Sequence, residues 1–168
     1  LNPDTCQVIE VAVVLDDRSK RVVDCPAYCT PVLHKQITGE PYALKMNYDL
    51  LGKIANREGE WVHVLGSSLR KWLNGRGADK RILTPLGKNI GSFDWQFLKR
   101  VPEFPVELFG HRMLDVGSLY ATADGMRGQD DLCDRLAEEF EIPGKPHEAL
   151  YDARVSLALA RAKWGLEV

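Results

Sequence analysis

The pattern of apolar and polar residues predicts strands at the front of the chain. A β-branched run over 7–15 has the length and composition of a buried strand, and a polar turn at 16–19 leads into a second strand predicted over 21–28. Because only a short turn separates the two runs, we expect an antiparallel hairpin. Pro26 indicates that the second strand ends there or lies at a sheet edge.

Helical spacing of apolar residues becomes clearer further along the chain. The pattern predicts helices over 43–56, 67–73, 94–100 and 129–140, short strands over 81–87 and 112–116, and a last helix that carries Leu150, Ala153, Leu157, Ala160 and Trp164. Strands that are followed by mixed strands and helices predict an α/β domain.

Composition limits the range of functions. With 168 residues, 45% of them hydrophobic, the chain fits a single domain over 1–168. Its 22 basic and 24 acidic residues leave no global positive field, so contact with nucleic acid should be local or mediated by metal. No apolar run is long enough to span a membrane, and the sparse cysteines favour the reducing cytoplasm.

Two further clusters allow a functional and a structural interpretation. Cys25 and Cys29, followed by His34, would suit a zinc or redox domain, but no second pair completes a four-ligand set. Five basic residues surround Trp72 within 70–81, either as a solvated face or as a groove that follows a phosphate backbone beside a stacking aromatic ring.

Asp94 is the first candidate for metal chemistry. It lies where a predicted strand gives way to a helix, so its carboxylate can project into a cleft, although an aspartate also suits a helix N-terminus structurally. Asn89 could contact a substrate or simply form a turn. Phe93 and Phe97 are expected to anchor the helix in the core.

His147 and Asp152 form the second candidate pair. Five residues correspond to about 500° of helical rotation, so the two side chains cannot share one face of a regular helix. They can meet if Pro146 and His147 precede the helix or form its first turn, with Asp152 pointing into the same cleft from one turn further along. Histidine exchanges protons near neutral pH and could serve as a base for water. Alternatively, both residues could be ordinary surface groups.

Taken together, these segments resemble the second and third motifs of the DEDDh 3′→5′ exonucleases, the ribonuclease-H-like group of DnaQ-like subunits, ribonuclease T and oligoribonuclease. Residues 89–94 match N-x-x-x-F-D, and His147-x4-Asp152 matches H-x4-D. The resemblance implies a five-stranded mixed sheet flanked by helices, with two Mg²⁺ or Mn²⁺ ions held partly by Asp94 and Asp152. It also implies that His147 acts as the catalytic base.

The family's first motif, D-x-E-T-T-G-L, would end at Leu1, a leucine that wedges against the terminal bases in family members. Its two acidic ligands and the central strand that carries them are therefore expected before Leu1. Asp4 and Glu10 do not replace these ligands, because their spacing is wrong and Glu10 matches a structural glutamate of the family. His111 stands where oligoribonucleases have tyrosine. The resemblance thus suggests Leu1, Asn89, Phe93 and His111 as substrate-binding residues.

The sequence therefore predicts an exonuclease that acts on the 3′ ends of single-stranded DNA or RNA. The alternative is a catalytically silent module that binds nucleic acid, a polymerase or an RNA-processing partner. No membrane partner is predicted, and both a homodimer and a polymerase partner remain open.

Overall fold

The computed structural model describes residues 4–120 and 129–168. The strands are β1 (Glu10–Val14), β2 (Ala27–Leu33), β3 (Glu60–Trp61), β4 (Leu86–Gly87) and β5 (Leu114–Asp115). The helices are α1 (Pro41–Met46), α2 (Tyr48–Ala55), α3 (Val62–Asn74), α4 (Asp94–Leu98), α5 (Val116–Leu119), α6 (Gln129–Glu139) and α7 (Ala149–Lys163). The predicted mixed α/β class is confirmed.

The strands form two separate sheets. β2 pairs antiparallel with β1 and parallel with β3, whereas β4 pairs in parallel with β5. The single five-stranded sheet of the ribonuclease-H-like arrangement is therefore not present among the described residues. The physical reason is that, in this part of the chain, no strand bonds to the outer edges of β1 and β4 and joins the two sheets.

The antiparallel pairing of the first two strands is confirmed, but the second strand lies later than predicted. Residues Val22–Asp24 form a 3-10 turn, closed by an ion pair of 2.9 Å between Arg21 and Asp24. Pro26 lies just before β2 and does not end this strand. Its carbonyl oxygen accepts the N–H of Leu15, and the pairing of β1 with β2 starts at the next residue.

Three other boundaries differ from the prediction. The helix expected over 43–56 is divided at Asn47, whose side-chain amide donates to the carbonyl of Ala43 at 2.8 Å and competes with regular helix bonds. The helix expected over 67–73 begins earlier, at Val62. The strand expected over 81–87 is reduced to β4, since Pro85 has no N–H with which to extend the ladder.

The β1–β2 sheet separates two apolar cores. Val11 and Val32 face α3 and pack with its buried Leu65, Leu69 and Leu73. Val14 belongs to the opposite core, which is built around α7 and α6. Helix α7 also packs against β4, so this helix contacts both sheets.

A glycine permits the close approach that fixes the segment after α4. A Cβ atom on Gly66 in α3 would lie 2.2 Å from the carbonyl oxygen of Pro102 and 2.4 Å from the carbonyl carbon of Glu103. Only glycine therefore allows α3 to lie directly against this backbone, which follows the helix that begins at Asp94.

Candidate functional site

The two motif segments converge where α4 and α7 begin. Asp94 is the first residue of α4, and Asp152 lies in the first turn of α7. Both residues are exposed, yet nearby protein atoms partly desolvate the carboxylates and raise the pKa of each above the usual value of 3.8. The negative charge of Asp152 raises the pKa of Asp94 further. The two carboxylates therefore lie close enough to repel each other.

His147 lies in the loop that precedes α7, which is one of the two placements that the sequence prediction allowed. Its backbone is in the left-handed region, with φ +72°, and its N–H donates to Asp152 Oδ1 at 3.3 Å. This bond and the neighbouring positive charges of His147 and Lys88 oppose the rise in the pKa of Asp152 that desolvation causes. Asp152 thus both belongs to the carboxylate pair and holds the loop that carries the histidine.

Asp115, which sequence analysis missed, holds the turn before α4. Asn89 adopts φ +57°, a conformation that asparagine tolerates, and its carbonyl accepts the N–H groups of Ser92 and Phe93. The N–H of Asn89 donates to Asp115 Oδ1 at 3.0 Å, and the same oxygen caps α5 through Gly117. An aspartate at a strand end, followed by Val-Gly-Ser, is a helix N-cap signal that could have identified Asp115.

Glu10 supports the start of α7, the helix that carries Asp152. Its Oε2 atom, on β1, accepts the N–H of Ala149 at 2.8 Å and so satisfies one of the free donors at the start of α7. Glu10 therefore caps the start of α7, a structural role of the kind held by the family glutamate to which the sequence analysis matched it.

The carboxylate pair offers hard oxygen ligands of the kind that Mg²⁺ and Mn²⁺ prefer. Asp94 and Asp152 fit such an ion because their mutual repulsion would be relieved by a cation. Among residues 4–120 and 129–168, no group of three or more His, Cys, Asp or Glu side chains is arranged to hold a metal ion. The residues in place thus supply part of a ligand set.

The remaining substrate-binding predictions have different placements. Phe93 does not anchor the core, because 39% of it is exposed, whereas Phe97 is buried and contacts the Phe93 ring at 5.2 Å. His111 is exposed on a bend. Leu1 lies outside the described residues. These roles remain predictions.

The structure does not bring Cys25, Cys29 and His34 together as metal ligands, and it does not leave the ring of Trp72 open for base stacking. Cys25 is buried beside the guanidinium of Arg161, at 3.3 Å, and His34 bonds the carbonyl of Val8. Trp72, the stacking candidate, is covered by the guanidinium of Arg76 at 4.2 Å from the ring centre. Its ring also packs 5.9 Å from that of Tyr28.

No protein-family model, curated protein or solved structure matches this chain. In the described part of the chain, helices long and apolar enough to cross a bilayer are absent. A functional assignment therefore depends on the residues of the site itself.

Proposed function

We propose that this protein is a metal-dependent 3′→5′ exonuclease that releases nucleotides from the ends of single-stranded DNA or RNA. The observation that carries the proposal is that Asp94 begins α4 and Asp152 lies in the first turn of α7, where Asp152 also accepts the N–H of His147. The negative charge of Asp152 raises the pKa of Asp94, so the two carboxylates interact. Like charges are costly to hold together unless a cation or a proton is shared between them.

The arrangement of the two sheets supports the same proposal. Helix α7 packs against both β1 and β4, and each of these strands is bonded on one side only within the described residues. One further strand between them would unite the two sheets in the order that the ribonuclease-H-like resemblance implies.

The residues present have distinct roles in this proposal. Asp94 and Asp152 would hold Mg²⁺ or Mn²⁺, which supplies charge stabilisation for the phosphodiester oxygens when bound. His147 would accept the proton of the attacking water, and Asp152 orients its loop through the backbone N–H. Phe93 exposes its ring directly beside Asp94, where it can contact the terminal base.

The test uses protein expressed from its complete coding sequence and 5′-labelled single-stranded DNA and RNA. We expect Mn²⁺ or Mg²⁺ to produce a ladder that shortens from the 3′ end, and a chelator to abolish it. An Asp94→Ala variant should lose nearly all of this activity. Full activity in that variant would refute the proposal, whereas a parent protein that binds the strand without cleaving it would favour the silent binding module.

A further inference from the structure

The helical arm formed by α1 and α2 exposes aromatic side chains that the fold does not use. Tyr42 is 75% exposed and Tyr48 is 77% exposed. Helix α1 contains no buried residue, and Ile54 is the buried residue of α2. Large aromatic rings in water forfeit the free energy of burial, so the two exposed tyrosines of this arm are available to pack against a partner.

An ion pair places this arm beside the candidate site. Asp49, next to Tyr48 at the start of α2, lies 3.5 Å from the Nζ atom of Lys145. Lys145 belongs to the loop that carries His147. Tyr48 is therefore the neighbour in sequence of Asp49, whose carboxylate reaches the loop that carries His147. Lys145 compensates the negative charge of Asp49.

A second set of contacts supports the same placement. Helix α2 packs against β2. On that strand, Cys29 Sγ lies 3.9 Å from Glu10 Oε1, and the other carboxylate oxygen of Glu10 binds the N–H of Ala149 at the start of α7. The arm is thus connected to the beginning of α7 through β2 as well as through the ion pair.

Charge on the arm indicates which partner fits. Lys45 is exposed one turn after Tyr42 on α1, and Lys53 is exposed on α2. A strand of nucleic acid presents bases that stack on aromatic rings and phosphates that pair with lysines, and a surface of this kind accepts any base sequence. A purely apolar partner would leave the two lysines without a role.

We infer that Tyr42 and Tyr48 form a tyrosine platform on which bases upstream of the 3′-terminal nucleotide stack, while Lys45 and Lys53 contact the phosphates between them. This inference rests on the proposed function and extends it. The platform holds the single strand so that its end reaches Asp94 and Asp152. It discriminates against duplex ends, whose bases are already stacked on each other.

The test compares two substrates with complete-length protein. One substrate is a single-stranded oligonucleotide, and the other is the p-nitrophenyl ester of thymidine 5′-monophosphate, which has no upstream bases. In a Tyr42→Ala/Tyr48→Ala variant we expect KM for the oligonucleotide to rise about tenfold or more, the range for loss of base stacking. Its kcat and the hydrolysis of the ester should stay close to the parent values.

Two control variants make the result specific. Tyr42→Phe/Tyr48→Phe retains both rings and should keep the parent KM. Trp164→Ala removes a ring that is 44% exposed beyond the far end of α7, roughly 20 Å from the site, and should also keep it.

The outcomes separate the two proposals. An unchanged oligonucleotide KM in the alanine variant, or an equal loss on both substrates, overturns the tyrosine platform and leaves the exonuclease in place. A parent protein that hydrolyses neither substrate overturns the exonuclease and the platform together.

Discussion

The two ends of α7 handle charge in opposite ways. At its start, Asp152 is exposed and its negative charge raises the pKa of Asp94. Near its end, Arg161 is fully buried, and its guanidinium bonds the Asp16 carboxylate, the carbonyls of Asp17, Lys20 and Glu167, and the Cys25 sulfur. The charge of Arg161 is thus compensated by several acceptors within the protein, whereas the charge of Asp152 acts on a second carboxylate of the same sign.

The largest expected effect on stability concerns the end of α7, where the charge of Arg161 is compensated. Arg161→Met should lower the free energy of unfolding by about 3 kcal/mol or more, because it leaves carbonyl groups and the Asp16 carboxylate without their donor. Urea denaturation followed by circular dichroism measures this change. Lys163→Met, an exposed substitution on the same turn, is the control and should differ little from the parent. An Arg161→Met protein with the parent midpoint would contradict the comparison.

At the start of α7, we expect a substitution of Asp152 to reduce activity without reducing stability. Asp152→Asn keeps an oxygen that accepts the N–H of His147 but removes the charge. We expect metal-dependent cleavage to fall about 10³-fold, which corresponds to several kcal/mol of lost stabilisation. Steady-state kinetics and a melting curve give both quantities. The matched control is Glu148→Gln, which removes a neighbouring charge and should leave cleavage near the parent rate.

A smaller effect is expected where β1 supports the start of α7. Glu10→Ala removes the acceptor of the Ala149 N–H and should cost about 1 kcal/mol, as loss of a helix cap does. Glu10→Gln retains an acceptor oxygen and should recover most of this stability. Chemical denaturation of the two variants measures the difference, and equal destabilisation by Ala and Gln would show that the cap is not responsible.

The smallest effect on stability has the opposite sign. Since the folded protein raises the pKa of Asp94, the ionised form is disfavoured in the native state at neutral pH. Asp94→Asn should therefore raise the melting temperature at pH 7 by about 1–2 °C while abolishing activity. The advantage should shrink as the pH falls through the raised pKa of Asp94 and vanish well below 3.8, where the carboxyl is protonated in the folded and unfolded states alike. A variant that melts lower than the parent at pH 7 would contradict this account.

Local periodicity predicted several elements well. The helices at 94–100 and 129–140 and the last helix lie close to α4, α6 and α7, because apolar residues at three- and four-residue steps decide these segments. The break at Asn47 and the late start of β2 depend on side-chain bonds and on a proline, which weaken the apolar signal. The pairing of strands into two sheets depends on distant partners that no local pattern reveals.

The site shows the same division between local and distant signals. Motif spacing selected Asp94, His147 and Asp152 as candidates, and the structure places Asp94 near Asp152 and His147 in the loop before α7. Asp115, which holds the turn before α4, was missed because its partner is far away in sequence. Burial of Arg161 was equally hidden, since an arginine on a helix is usually exposed.

The bonds of Arg161 also bear on how the chain reaches its native state. Asp16 and Arg161 are 145 positions apart, and a further acceptor is the carbonyl of Glu167. Contacts of such long range slow folding, because a large loop must close before they form. During synthesis on the ribosome, Arg161 cannot complete its bonds to Asp16 and Glu167 until residues through Glu167 have emerged from the exit tunnel. This set of bonds therefore forms only after translation has passed that point.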